Sequence, residues 1–264
     1  MHRSVVKRKL SAGELVLVPK VCFVDAGIVE MLGLLGFDCL WICNEHRAID
    51  ANHLENMVRA GRAAGADCVV RLGVNGLDDI VRVLAMGAHG LMIPHVKTAE
   101  HARAVVSKAK YPPLGNRGLE SINADALYGL RPLQQYLQAA NDETFLVLQV
   151  EDAEALDHIE DIAAVDGIDV IFVGPSDLAL SLGLPGQEKH PRVVEAIRRV
   201  VKACRSRNVV CGTAAMDAEH CGHLIEEGVR YFTDGSDWRA IRTAFADAKQ
   251  AYGALGFSFR PEPS

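Results

Sequence analysis

The chain has 264 residues, of which 49% are hydrophobic and 23% charged, and such a composition can bury a full core without disulfide bonds. Its net charge of −6 argues against nucleic acid or an anionic membrane surface as the main partner. Basic residues near the amino terminus are not followed by a long apolar run, so we predict neither a signal peptide nor a membrane helix and expect a cytoplasmic protein.

Short apolar runs alternate with longer amphipathic segments along the chain. The runs predict eight strands, at residues 15–21, 39–42, 68–70, 90–93, 145–150, 170–173, 209–212 and 231–233. A helical pattern follows each strand, at residues 25–35, 51–64, 77–86, 98–109, 153–164, 191–208, 217–227 and 237–251. Eight such repeats are typical of an α/β fold of the parallel (β/α)8 TIM-barrel type. A doubly wound open sheet is the alternative, but no GxGxxG motif follows the first strand.

No linker-like composition divides the chain, so we predict one barrel domain over residues 1–264. Two Gly- and Pro-punctuated stretches, 111–140 and 181–190, interrupt the alternation, and they are either lids, subunit contacts or plain connectors. The seven cysteines form no CxxC pair and lie mostly in apolar segments, which indicates reduced thiols and not a disulfide framework or a zinc site.

Acidic residues stand where two neighbouring predicted strands end. Glu151 follows the strand 145–150, and Asp177 follows the strand 170–173. Two solvated loop acids are one interpretation. In a barrel, however, the carboxyl ends of the strands converge on the active site, and two carboxylates there can bind a hard cation.

Further polar residues stand at or just after the ends of the predicted strands. These are Asn44, Glu45, His46 and Arg47, then Arg71, His95, Gln149, Ser176, Thr213, Asp234 and Asp237. An acid pair, an arginine, a histidine and a Gly-Pro-Ser turn together predict a site for a small anionic substrate that chelates metal.

Five ordered motifs resemble the HpcH/HpaI aldolase family, which are metal-dependent class II pyruvate aldolases of the phosphoenolpyruvate/pyruvate barrel superfamily. Its members include 4-hydroxy-2-oxoheptanedioate and 2-keto-3-deoxy sugar acid aldolases. The motifs lie at residues 36–46, 69–71, 111–118, 148–151 and 172–178, and the resemblance extends from residue 10 to residue 237.

The resemblance implies roles for particular residues. Glu151 and Asp177 correspond to the ligands of a divalent cation, Mg²⁺, Mn²⁺ or Co²⁺. Arg71 corresponds to the arginine beside the keto or enolate oxygen, and Gln149 to the glutamine that supports the pyruvyl group. The remaining correspondences are backbone N–H groups of Ser176 and Asp177, which would bind the substrate carboxylate, and His46, the base that moves the proton of the aldol hydroxyl.

Two positions depart from the family pattern. Cys43 stands where family members often have an aspartate paired with the histidine, so either Glu45 or another carboxylate takes that part, or His46 is a weaker base or a structural histidine. Lys20 stands where an aromatic residue is common, and it is either a substrate contact or a surface lysine. The sequence also leaves open whether Arg117 faces the site or a neighbouring subunit.

We therefore predict a metal-dependent carbon–carbon lyase that cleaves a 4-hydroxy-2-oxo acid reversibly to pyruvate, or a close 2-oxo acid, and an aldehyde. The alternatives are a malyl- or citramalyl-thioester lyase of the same superfamily and a non-catalytic ligand-binding descendant. The resemblance also implies a homo-oligomer, a hexamer or another dimer-based assembly, in which the last helix is exchanged between subunits.

Overall fold

The structure is a computed structural model, and it describes residues 2–260. Over that range nine parallel strands form one curled sheet. The strands are Val16–Leu17 (β1), Lys20–Val21 (β2), Cys39–Cys43 (β3), Asp67–Arg71 (β4), Gly90–Ile93 (β5), Phe145–Val150 (β6), Val170–Val173 (β7), Val210–Ala214 (β8) and Tyr231–Thr233 (β9). All eight predicted strands are present, the first of them in two pieces.

The division between β1 and β2 closes the barrel. β1 pairs with β9, the last strand, whereas β2 pairs with β3. Pro19 lies between the two pieces, and its missing N–H interrupts the ladder there. One predicted strand thus contributes both ends of the sheet order β1-β9-β8-β7-β6-β5-β4-β3-β2, and the predicted α/β barrel class is confirmed.

Eleven α-helices accompany the strands in the described residues. They are Val5–Ser11 (α1), Ala26–Leu34 (α2), Ala51–Ala63 (α3), Ile80–Ala85 (α4), Ala99–Ala109 (α5), Leu133–Glu143 (α6), Ile159–Ala163 (α7), Pro175–Ser181 (α8), Pro191–Arg205 (α9), Ala218–Glu227 (α10) and Asp237–Gly253 (α11). We did not predict α1, α6 or α8. The predicted helices 77–86 and 153–164 begin as 3₁₀ turns, and α4 and α7 are correspondingly short. No helix of residues 2–260 is long and apolar enough to span a membrane.

Most strand residues are buried, because helices surround the sheet and side chains fill the barrel. On β3, Cys39 and Trp41 belong to the inner cluster, whereas Leu40 and Ile42 pack against the helices. The same period of two turns Cys43 inward at the end of the strand. Cys43 is in register with Arg71 of β4, so both lie in the layer of side chains at the carboxyl ends of the strands, here called the mouth of the barrel.

The opposite end of the barrel is closed by the amino-terminal segment. Ser4 caps α1, and Val6 of that helix packs in the inner cluster. Asp67 at the start of β4 accepts hydrogen bonds from Ser4 Oγ (2.6 Å) and from the Val6 backbone N–H (2.9 Å). These contacts leave the mouth as the end of the barrel where polar side chains can meet a ligand.

Candidate active site

Glu151 is a buried carboxylate at the end of β6. Its side chain is 2% exposed. Its Oε2 atom accepts a hydrogen bond from Gln149 Nε2 (3.1 Å), and Oε1 accepts one from the His95 backbone N–H (3.1 Å). Gly174 approaches this carboxylate so closely that a Cβ atom there would lie 2.4 Å from Oε2. The site thus holds Glu151 in one position between β6, the β5 loop and the start of α8.

The charge of Glu151 is poorly compensated by the protein. Burial raises the pKa of Glu151 to about 7, and the nearby Asp177 carboxylate adds to the increase. The His95 backbone N–H and the charges of His95 and Arg71 oppose the increase without cancelling it. A carboxylate in this condition gains most when a cation binds beside it.

Asp177 and Ser176 lie in the first turn of α8. Both are exposed, and Ser176 Oγ donates a hydrogen bond to Glu188 (3.0 Å). Gly174 is the residue before this helix and provides no side-chain cap, and Pro175 at the first position has no N–H. The backbone N–H groups of Ser176 and Asp177 therefore point beyond the helix end without a side-chain cap.

Arg71 is buried and is held by three side chains of the 41–45 segment. Its Nε lies 2.8 Å from Glu45 Oε2, and its Nη2 donates to Cys43 Sγ (3.1 Å). Its guanidinium carbon lies 4.8 Å from the centre of the Trp41 ring, within cation–π distance. The position of the guanidinium at the mouth is therefore determined from β3 and the residues that follow it.

Cys43 occupies an electropositive position. Burial alone would raise the pKa of this thiol, but Arg71, the His46 backbone N–H and Lys20 together hold the pKa below its ordinary value. Lys20 Nζ lies 4.7 Å from the centre of the Trp41 ring, so this lysine faces the mouth.

His46 extends into solvent, with 61% of its side chain exposed. Its Nε2 lies 3.6 Å from Glu45 Oε2. His46 therefore has a carboxylate neighbour although residue 43 is a cysteine, and that neighbour is the same Glu45 that contacts Arg71.

His95 is a second histidine at the mouth of the barrel. Its backbone is left-handed, with a φ of 52°, which directs the main-chain N–H toward Glu151. Its Nδ1 lies 2.9 Å from Asp152 Oδ2, and its Nε2 lies 3.8 Å from Glu151 Oε1. Burial lowers the pKa of His95, but the hydrogen bond to Asp152 and the charge of Glu151 outweigh it and raise the pKa above its ordinary value.

Two other polar residues at the strand ends have structural contacts. Thr213 Oγ1 donates to the Val173 carbonyl (2.9 Å), and Asp237 accepts from the backbone N–H groups of Cys22 (2.9 Å) and Phe23 (2.8 Å). These bonds tie β8 to β7 and the start of α11 to the end of β2.

Arg117 does not face the mouth of its own chain. It is buried, and its Nη2 donates to Asp125 Oδ2 (2.9 Å). Tyr136 of α6 donates to the same oxygen (2.9 Å), and Tyr111 stacks under the guanidinium at 4.9 Å. The stretch 111–140 thus includes most of α6, and Arg117 belongs to a buried polar cluster within its own subunit.

The oxygen atoms at the mouth fit a hard divalent cation. In the described part of the chain no group of three or more His, Cys, Asp or Glu side chains is placed to hold a metal ion. Mg²⁺-like ions typically take one or two carboxylates and complete their shell with water and substrate. Gln149 Oε1 is in addition a buried acceptor without a partner, so the donor set beside Glu151 is rich in oxygen and incompletely satisfied.

The chain is similar to known aldolases over most of its length. The model of the family described as HpcH/HpaI aldolase/citrate lyase matches residues 22–244. The 2-dehydro-3,6-dideoxy-6-sulfogluconate aldolase of Pseudomonas putida is 36% identical over 213 residues, which cover 81% of this chain and 83% of that protein. The hydroxypyruvate/pyruvate aldolase of Sagittula stellata is 36% identical over 222 residues, which cover 84% of this chain and 87% of that protein.

Solved structures agree with the sequence comparison. An HpcH/HpaI aldolase from Desulfitobacterium hafniense matches with a TM-score of 0.88 and 34% identity, over 97% of this chain and 99% of that one. The citrate synthase SbnG matches with a TM-score of 0.87 and 28% identity, over 95% and 98%. Together with the motifs at the strand ends, these matches show that the chain belongs to the HpcH/HpaI aldolase/citrate lyase family.

Proposed function

We propose that this protein is a metal-dependent aldolase of the pyruvate type, which cleaves a 4-hydroxy-2-oxo acid reversibly to pyruvate, or a close 2-oxo acid, and an aldehyde. The observation that carries the proposal is the buried carboxylate of Glu151 beside Gln149 and Arg71 at the mouth of a barrel of this family. Relatives named as aldolases at 36% identity support the reaction class.

Glu151 and Asp177 would hold the cation. Bound there, Mg²⁺, Mn²⁺ or Co²⁺ supplies positive charge that stabilises developing negative charge on a keto oxygen. The raised pKa of Glu151 supports this assignment, because a desolvated carboxylate is stabilised by a neighbouring cation.

The remaining residues would bind the 2-oxo acid and remove the proton of its 4-hydroxyl group. Arg71 provides a fixed guanidinium for the oxygen that becomes negatively charged on cleavage. Gln149 supports the pyruvyl group, and the uncapped N–H groups of Ser176 and Asp177 donate hydrogen bonds to its carboxylate. His46, the exposed histidine at the rim of the mouth, removes the proton of the 4-hydroxyl group as the C3–C4 bond breaks. The aldehyde departs, and the enolate that remains takes up a proton at C3 to give pyruvate.

The proposal is tested by measuring pyruvate release from a panel of 4-hydroxy-2-oxo acids. The protein is first treated with EDTA, and Mg²⁺, Mn²⁺ or Co²⁺ is then added separately. Release that stops with EDTA and returns with a metal would support the proposal. Release from a malyl- or citramalyl-thioester alone would favour the thioester lyase, and binding of pyruvate without any turnover would favour the non-catalytic descendant.

We further propose that the protein is a homo-oligomer, either a hexamer or another assembly of dimers. Helix α11 buries little of its length, and Asp237 is its buried residue. Large apolar side chains on this helix and the tail after it remain exposed, namely Trp238, Ile241, Phe245, Tyr252, Leu255, Phe257 and Phe259. An exposed apolar surface of this extent fits a contact with a second copy, as exchange of the last helix would provide.

A further inference from the structure

Glu45 lies beside Arg71 and His46, two residues to which we assign the chemistry. Its side chain is 8% exposed, so it is a buried carboxylate on the loop after β3. One oxygen, Oε2, lies 2.8 Å from Arg71 Nε and 3.6 Å from His46 Nε2. One atom is therefore within ion-pair distance of both the guanidinium and the imidazole to which we assign the chemistry.

The contact between Glu45 and Arg71 leaves that oxygen incompletely satisfied. The two atoms are close, but neither Glu45 Oε2 nor Arg71 Nε has a hydrogen bond of acceptable geometry. A buried carboxylate oxygen has several lone-pair directions, and an unused one is costly. Glu45 Oε2 can therefore accept a hydrogen bond from a ring N–H of His46 and keep its charge contact with Arg71.

We propose that Glu45 is a positioning residue that orients His46 and Arg71 at the same time, in a site where position 43 holds a cysteine. The inference rests on the proposed aldolase function, since it assigns Glu45 a part in that reaction. Within residues 2–260, Glu45 is the carboxylate that lies within 4 Å of the His46 ring. An exposed imidazole without such a neighbour would sample several rotamers, and the fraction of molecules ready for proton transfer would fall.

Cys43 also contacts the Arg71 guanidinium, but as a weak hydrogen-bond acceptor. Its sulfur accepts a hydrogen bond from Arg71 Nη2 at 3.1 Å, and the His46 backbone N–H helps to lower the pKa of its thiol. Sulfur is a weak acceptor, whereas a carboxylate at this position would make charge-assisted bonds to the same donors. Glu45 should consequently matter more in the natural chain than in a variant with an acid at position 43.

The experiment is a double-mutant cycle of Glu45→Gln and Cys43→Asp, measured on the full-length metal-loaded protein. Glutamine keeps the size and an acceptor oxygen but removes the charge. The readouts are kcat and KM for aldol cleavage, exchange of the pyruvate methyl protons with deuterium, and the thermal unfolding midpoint. Glu30→Gln, which changes an exposed carboxylate on α2, is the matched control. Activity is measured well below each unfolding midpoint, so that every variant is folded.

We expect Glu45→Gln to lower kcat about 10- to 100-fold, with a smaller change in KM, as is typical for loss of a residue that orients active-site groups. Both cleavage and proton exchange should slow, because His46 serves the first and Arg71 serves both. In the Cys43→Asp background the loss should be smaller by about fivefold or more.

Equal losses from Glu45→Gln in both backgrounds would overturn the inference, and so would activity equal to that of Glu30→Gln. These results differ from failure of the proposed function, in which the unmutated protein releases no pyruvate with any metal. In that case the assignment of Glu45 falls together with the reaction on which it rests.

Discussion

At the scale of single residues, the ionisation of Glu151 has a measurable consequence. Burial raises its pKa from the ordinary 4.5 to about 7, so between these values the folded protein holds a proton that the unfolded chain has released. The stability of the metal-free protein should therefore fall as the pH rises through this window, as far as Glu151 contributes. Metal binding requires the ionised form, and metal affinity should rise over the same range.

Glu151→Gln should remove this pH dependence. In EDTA, the unfolding midpoint of the unmutated protein should fall relative to that of the variant as the pH is raised from 5 to 8. Titration calorimetry should show Mn²⁺ affinity that increases with pH for the unmutated protein and is weak throughout for Glu151→Gln. Parallel unfolding curves for the two proteins would contradict the assigned pKa.

His46 and Arg71 should be separable by their effects on two half-reactions. His46→Ala should slow aldol cleavage more than it slows exchange of the pyruvate methyl protons, because the histidine is assigned to the hydroxyl of the departing aldehyde. Arg71→Lys should slow both, since lysine cannot reproduce the contacts at Nε and Nη2. Deuterium exchange followed by NMR, alongside a coupled pyruvate assay, distinguishes the two patterns. Equal losses in both reactions for His46→Ala would mean that the histidine is not specific to the aldehyde half.

At the scale of elements, a substitution of Gly174 tests the close approach of α8 to the end of β6. In Gly174→Ala the new Cβ atom would meet Glu151 Oε2 at 2.4 Å, a distance that forces the carboxylate or the helix start to move. We expect metal affinity or activity to fall about 10- to 100-fold, the range for disturbed support of metal ligands.

Gly222→Ala is the matched control for this prediction. Gly222 lies inside α10, and a Cβ atom there would meet nothing within 4 Å. Its replacement should raise stability by about 0.5–1 kcal/mol through helix propensity and leave activity unchanged. Similar activity of both alanine variants would show that Gly174 is not a constraint on the carboxylate.

At the scale of the whole molecule, α11 and its tail should determine the assembly. Phe245, on α11, is 71% exposed in the single chain, and Leu255 and Phe257 follow in the tail. Phe245→Ser should shift the mass in solution toward the monomer, because a buried aromatic side chain contributes several kcal/mol to an interface. Light scattering after size-exclusion chromatography measures the mass, with Val74→Ser, an exposed apolar residue elsewhere, as control. An unchanged mass for Phe245→Ser would place the subunit contact on another surface.

The sequence alone was sufficient to predict where the strands lie. Strands that are mostly buried form apolar runs, and turn-forming residues separate these runs. The sequence was also sufficient for Arg71, Gln149 and Glu151 as residues at the mouth, because the end of a barrel strand is visible as the point where an apolar run becomes polar. The roles of these three residues stay predictions, as do the roles of His46, Ser176 and Asp177. The single domain over residues 1–264 also stays a prediction.

The tertiary structure decided which polar residues meet. The division of the first strand at Pro19 closes the barrel through contacts of residues far apart in the chain, and sequence period cannot report it. Arg117 pairs with Asp125 in a buried cluster, and Glu45 meets both His46 and Arg71. Sequence patterns indicate burial and local conformation, because those depend on neighbours along the chain. The distance between two charged atoms depends on how separate elements pack, and it becomes known only when the barrel is assembled.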